Sequence, residues 1–184
     1  MQKLSLSYFI GILLLSSLLI NPLPAQNVYS SDKVDFSQFN LGGPRLGVTV
    51  APNGDLREEL EDQNMGPILS QFGWHFEYQV VPEGGGPAFV IQMVPMVAGV
   101  EYGKLVPHGT LAMGIRLPSG IEFGIGPNLL YTGDSLYTAL VMGIGKTFNY
   151  GGVNIPLNIA FATNPSGYMA SFVFGYSIIQ GKKK

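Results

Sequence analysis

The chain contains no cysteine. No disulfide, thiol nucleophile or thiolate metal ligand can form. A protein of this size exported to an oxidising compartment must therefore be stabilised by its own sheet or by a membrane. Charge is scarce as well. Asp, Glu, Lys and Arg make up 12% of the residues, about half the usual share of a soluble domain. The formal net charge is -2, which provides no basic face for nucleic acid. Helical periodicity is almost absent beyond the N-terminal stretch. Glycine, by contrast, is abundant at 25 residues, and aromatics reach 11%. Low charge with much glycine and many aromatics is unusual for a water-soluble globule. It suits a barrel that meets lipid outside and packs small residues inside.

The first 25 residues read as a secretory signal peptide. Lys3 gives a positive start, residues 4–20 form an apolar run, and Asn21-Pro22-Leu23-Pro24-Ala25 a helix-breaking end with a small residue at the cleavage point. The run is short for a membrane anchor and stops in prolines, and no cysteine follows it to carry a lipid. Residues 26–45 are polar and turn-rich, with Ser30-Ser31-Asp32 and Gly42-Gly43-Pro44, and are expected to be a periplasmic lead-in. Residues 46–180 carry the fold, and 181–184 form a basic tail.

From Leu46 onward the pattern alternates with period two between turn signals. Phe72, Trp74, Phe76, Tyr78 and Val80 oppose Gly73, His75, Glu77 and Gln79. Leu111, Met113, Ile115 and Leu117 oppose Thr110, Ala112, Gly114 and Arg116. Similar segments lie near 46–51, 121–129, 135–145, 153–161 and 168–178. Residues 87–100 add another strand, apolar on both faces. The expectation is an all-β fold, a closed antiparallel up-and-down β-barrel of about eight strands. Many of these are near the ~10 residues a tilted membrane strand requires. Gly133-Asp134 should set Tyr131 opposite Leu136. Tyr150-Gly151 should set Phe148 opposite Val153. Pro118-Ser119-Gly120 should set Leu117 opposite Ile121. Pro95, Pro127 and Pro156 fall inside strands, and each implies a bulge or a shifted register. One short helical turn is expected in the first inter-strand loop, with Asp55 as cap and Glu58 at its third position.

Alternation does not say which face is wet, but the polar face does. It is Gly, Ala, Ser, Asn and Thr with few charges, where a water-facing exterior carries many. Small residues suit the lumen of an eight-stranded barrel, and a sheet in lipid must close because no edge can be left open. A soluble periplasmic barrel holding an apolar ligand in its lumen, like a lipocalin, is the alternative.

The chain resembles small outer-membrane β-barrel proteins of Gram-negative bacteria. It is also similar to a group of uncharacterised exported proteins that carry strings such as Ser70-Gln71-Phe72-Gly73-Trp74, Glu122-Phe123-Gly124-Ile125-Gly126-Pro127-Asn128 and Asn154-Ile155-Pro156-Leu157-Asn158. The resemblance implies a place in the cell outer membrane, with membrane lipid and the outer-membrane barrel assembly machinery as partners. One departure is the C-terminal end, where Ile178-Ile179-Gln180-Gly181 and three lysines follow Phe174 and Tyr176.

Nothing in the pattern calls for catalysis, a cofactor or a metal. Gly143-Ile144-Gly145-Lys146-Thr147 looks like the end of a phosphate-binding loop, but Leu140 replaces the required glycine and a strand runs through it. His75 and Glu77 share a face, yet no third ligand is placed. His108, Asp134 and Ser135 are expected at loops or rims, with no spacing that ties them into a nucleophile and base. Glu58, Glu59, Glu61 and Asp62 read as a solvated helix face. The residues singled out form a polar row inside a narrow lumen: Glu77, Gln92, Arg116 and Glu122. The 118–120 turn puts Arg116 opposite Glu122. A hairpin centred on Gly84-Gly85 puts Glu77 opposite Gln92, and a loop centred on Lys104 puts Gln92 opposite Arg116. His75, Asn128, Asn154 and Asn158 are the other inward polar residues.

Overall fold

A computed structural model describes residues 34–165 and 167–178. The expected signal peptide, residues 26–33 of the lead-in, the last residues of the expected barrel (179–180) and the basic tail lie outside the described residues.

Eight long strands form the fold. They are β1 (Gly43–Gly54), β2 (Ile68–Val80), β3 (Ala88–Ala98), β4 (Val106–Arg116), β5 (Ile121–Tyr131), β6 (Leu136–Tyr150), β7 (Val153–Asn164) and β8 (Gly167–Gly175). Each pairs antiparallel with its sequence neighbour, and β1 pairs with β8, closing an up-and-down barrel. After a break at Tyr176 the last strand resumes as a short β9 (Ser177–Ile178) against β7. Residues 34–42 and the β2–β3, β4–β5 and β6–β7 turns lie at one end, here the terminal end. The β1–β2, β3–β4, β5–β6 and β7–β8 connections lie at the other. The first of these holds the helix α1 (Asp55–Asp62), so the second end is the helical end.

The alternation fixes the faces. Along the outward positions of all eight strands, Lys146 is the one charged side chain among the described residues, and its Nζ donates to the Ser119 carbonyl at the terminal rim (2.5 Å). The middle of the wall is Phe, Leu, Ile, Val and Met, with the large side chains exposed. Six of the seven tyrosines among the described residues stand exposed at the ends. Tyr78, Tyr150 and Tyr176 are at the terminal end, and Tyr102, Tyr131 and Tyr168 at the helical end. The inward face is mostly small or polar.

Turn chemistry sets the register. Tyr131 faces Leu136, and Leu117 N–H donates to Ile121 O at 2.8 Å across the tight turn. The β6–β7 turn differs from expectation: Tyr150 faces Val153, and the turn is Gly151-Gly152. Both glycines have positive φ, +57° and +85°, which a two-residue primed turn needs. The shift is an even number of residues, so every side chain keeps its face.

The prolines also depart from expectation. The pairings flanking Pro95, Pro127 and Pro156 continue in one register on both sides. Each proline merely interrupts one of its two ladders. The strands beside two of these gaps approach closely: a Cβ on Gly73 would lie 2.1 Å from Pro95 O, and one on Gly126 2.0 Å from Leu111 O. The register shift lies instead between Val50 and Asn53, on the β1–β8 seam, where Pro52 sits.

Two further expectations are corrected. β1 begins at Gly43, inside the stretch expected as lead-in, and residues 39–41 bond to lumen residues. The helix is capped by Gly54 (φ +89°) with no side-chain bond, and Asp55 is its first residue. Leu56 and Leu60 point from α1 into the mouth, where they pack with Ala51, Met65, Leu69, Ala98, Val106 and Leu130. That layer helps explain why β3 is apolar on both faces. Its inward Met96 and Ala98 are buried inside the barrel while Phe89 and Met93 are exposed outside.

Candidate functional site

Parity sends Arg45, His75, Glu77, Gln92, Arg116 and Glu122 into the lumen near the terminal end. Arg116 lies directly opposite Glu122, with Nη2 to Oε2 at 2.8 Å and Nε to the same oxygen at 3.1 Å. It also holds Glu77, with Nη1 to Oε1 at 2.7 Å and a shorter Nη2–Oε2 contact. The side chains of Arg116 and Glu77 are fully buried and that of Glu122 nearly so. One guanidinium thus spans two carboxylates, as its planar fork of donors allows.

Glu77 faces Gln92. Gln92 does not face Arg116, however: its partner is Ala112, and Ala88 lies opposite Arg116. The β3–β4 loop is centred on Tyr102, not Lys104. A 3-10 turn at Val100–Tyr102 between two left-handed glycines, Gly99 and Gly103, sets that centre. Gln92 nonetheless reaches the row, donating to Glu122 Oε2 at 3.4 Å.

Arg45 was missed, because the boundary of the expected lead-in fell on it. Its parity with Gly47 and Thr49 was the signal. Its Nη2 donates to Leu41 O (2.5 Å) and to His75 Nδ1 (2.6 Å). Arginine can only donate, so Nδ1 accepts and the His75 proton sits on Nε2. That nitrogen lies 3.7 Å from Glu77 Oε2, beyond hydrogen-bond distance. Two arginines and two glutamates bring the layer to zero net charge.

The segment 34–42 lies over this layer. Arg116 Nη1 donates to Phe39 O (3.1 Å), Leu41 N–H to Glu77 Oε1 (3.2 Å) and Asn40 Nδ2 to Glu77 O (2.9 Å). Phe36 packs against Gly120 in the β4–β5 turn, where a Cβ would lie 2.8 Å from its ring. The opposite mouth is covered by α1. Glu59 turns inward there, accepting from Tyr137 OH at 2.6 Å and, more closely, from Thr132 Oγ1. Burial works to raise the Glu59 carboxyl, but bonds from Thr132, Tyr137 and Ser135 outweigh it and hold the group below its ordinary value. Glu58, Glu61 and Asp62 are exposed, so the acidic run is a solvated face apart from Glu59.

The remaining inward polar residues are dispersed. Asn128 donates to Thr110 Oγ1 (2.9 Å) and Gly109 O (3.2 Å). Asn154 accepts from Asn149 (2.8 Å), and Asn158 lines a central cavity. His108 is not at a rim: it lies within β4 opposite Leu130 and lines the same cavity. Asp134 and Ser135 stay in the β5–β6 loop, so the three do not converge. Residues 143–147 are mid-strand in β6. Among the described residues no cluster of three or more His, Asp or Glu could hold a metal ion.

With a covered mouth at either end and a charged layer between, the lumen offers no wide aqueous path. Purified protein in planar bilayers should give no large, stable conductance. Porin-sized steps would contradict the sealed lumen. Compared with protein-family models, with curated proteins and with solved structures, the chain matches none.

Proposed function

We propose that the protein is an outer-membrane β-barrel of the small Gram-negative type, exported by its signal peptide. In this reading it plays a structural or interaction role rather than an enzymatic one. Its partners are membrane lipid and, during insertion, the barrel assembly machinery. One observation carries the reading: a closed wall on which, among the described residues, a rim lysine is the single outward charge, banded by tyrosines at both ends. In water such a wall would be an apolar patch many times larger than monomers tolerate. In a bilayer it supplies the apolar band of about 25 Å and the aromatic girdles that lipid contact requires. Lys146 fits the same picture, its stem on the wall and its head at the rim.

Cell fractionation tests it. The protein should sediment with outer membranes, resist carbonate washing, and migrate differently on gels with and without boiling. Recovery in the wash-soluble periplasm would overturn the membrane reading in favour of a soluble, lipocalin-like barrel. In the membrane reading the helical end faces outward, because the first connection of a barrel with periplasmic termini lies outside. An epitope at Asp55 should therefore be labelled on whole cells, and labelling only after lysis would reverse the orientation.

A further inference from the structure

Between the charged layer and the helical cap the lumen holds a partly open cavity of about 130 Å³. Five residues that line it carry buried polar atoms with no hydrogen-bond partner in the protein: Arg45 Nε, Gln71 Oε1, His75 Nε2, His108 Nε2 and Asn158 Oδ1. Gln71 and His75 are only 3% and 2% exposed. The roles of four of these atoms follow from chemistry, Arg45 Nε being a donor because a guanidinium cannot accept. His75 Nε2 is a donor, because Arg45 occupies Nδ1. The two amide oxygens are acceptors. Much of the remaining wall is apolar, including Val94, Met96, Val141, Ala160, Ala162 and Val173.

We propose that this cavity binds a small neutral amphiphile, an apolar body bearing one hydroxyl or amide group. The apolar part of the wall offers water no partner and favours an apolar body there. The orphaned donors and acceptors call for a hydrogen-bonding group, since each is costly when left unmet. A net charge is excluded because the two arginines and two glutamates already balance, so a further ion would be buried without a counter-charge. The volume suits a molecule on the order of benzene or a short aliphatic chain.

The way in is at the helical end. A recess of about 20 Å³ there is lined by Leu56 and Tyr137 and shares Asn128, Leu130, Ala162 and Met169 with the cavity. Tyr137 is held at its hydroxyl by Glu59 of α1. Entry thus runs past Met169 and Tyr137, beside the helix.

Methyl-labelled full-length protein, folded in detergent micelles, can be titrated with 1-hexanol and followed by NMR. The inward methyls of Met96, Met169 and Val141 should shift saturably to a single-site curve. The outward methyls of Met113 and Met142 should change only linearly, as alcohol enters the micelle. Hexylammonium and hexanoate should bind at least tenfold more weakly. Ala160→Phe, which fills the cavity, should abolish the saturable shifts, and Val141→Leu should weaken them if the larger side chain prevents folding. Inward methyls that never saturate would mean a water-filled cavity and overturn the proposal. So would unchanged binding in the filled variants or equal binding of the charged analogues. The proposal does not rest on the membrane reading: a soluble barrel would leave this titration valid in plain buffer.

Discussion

Arg116→Ala should lower the stability of the detergent-folded barrel in urea by about 3–5 kcal/mol, the range for removing one partner of a buried ion pair. The reason is what remains. Glu77 and Glu122 both take their charged hydrogen bonds from this guanidinium, and its loss strands two carboxylates in a lumen covered by residues 34–42. The strap loses its bond to Phe39 O as well. Lys104→Ala, at an exposed loop residue, should stay within about 0.5 kcal/mol. The fourfold change Arg45→Met, Glu77→Gln, Arg116→Met, Glu122→Gln should recover much of the loss, because a buried charge cluster replaced as a whole is often close to neutral. Equal unfolding midpoints for Arg116→Ala and Lys104→Ala would show that the cluster is structurally unimportant.

Gly126→Ala and Gly73→Ala should each destabilise by about 3 kcal/mol, the upper end of typical overpacking, or prevent closure altogether. At both sites the new methyl meets a neighbouring strand's backbone, with Leu111 O or Pro95 O at about 2 Å and an α-carbon under 3 Å away. Backbone in a closed ladder has little room to yield. Gly109→Ala is the control, since nothing lies within 4 Å of its Cβ position and its φ is not positive. The readout is the heat-modifiable gel shift together with the urea midpoint. If all three alanine variants fold with equal midpoints, the close approach of strands beside Pro95 and Pro127 is not required.

The barrel was legible because two independent signals agree in this sequence. Alternation assigns faces, and tight turns such as 118–120 and Gly133-Asp134 set registers that keep apolar opposite apolar. What was not legible depended on contacts distant in the chain. Gln92 could be placed opposite Arg116 only by guessing the centre of the β3–β4 loop, and a 3-10 turn between two glycines moved it. Pro95 and Pro127 looked like register breaks because a missing donor is local, whereas the pairings on either side of each gap hold the register. Arg45 was hidden by its neighbours: Gly42-Gly43-Pro44 reads as a turn, while the pairing of Gly43–Arg45 with β2 shows that the strand has already begun. His108 looked like a rim residue for a similar reason, following Pro107 at a point that proves to be strand. The strap of residues 34–42 binds mainly through its own backbone carbonyls and amides, groups that every sequence possesses and none advertises.

The seam between β1 and β8 has a consequence for how the chain reaches this state. Each of the other long ladders joins neighbours in sequence and can form as a hairpin. The seam brings together residues such as Thr49 and Ser171, 122 positions apart. Closing a loop of that length carries an entropic penalty of about 4 kcal/mol beyond its constant part, and the register shift at Val50–Asn53 falls on the same seam. An open, curled sheet with seven hairpin ladders made is thus the natural precursor, its two free edges awaiting each other. Everything inside the barrel, including the guanidinium layer and the cavity, has its final surroundings only once that last edge zips.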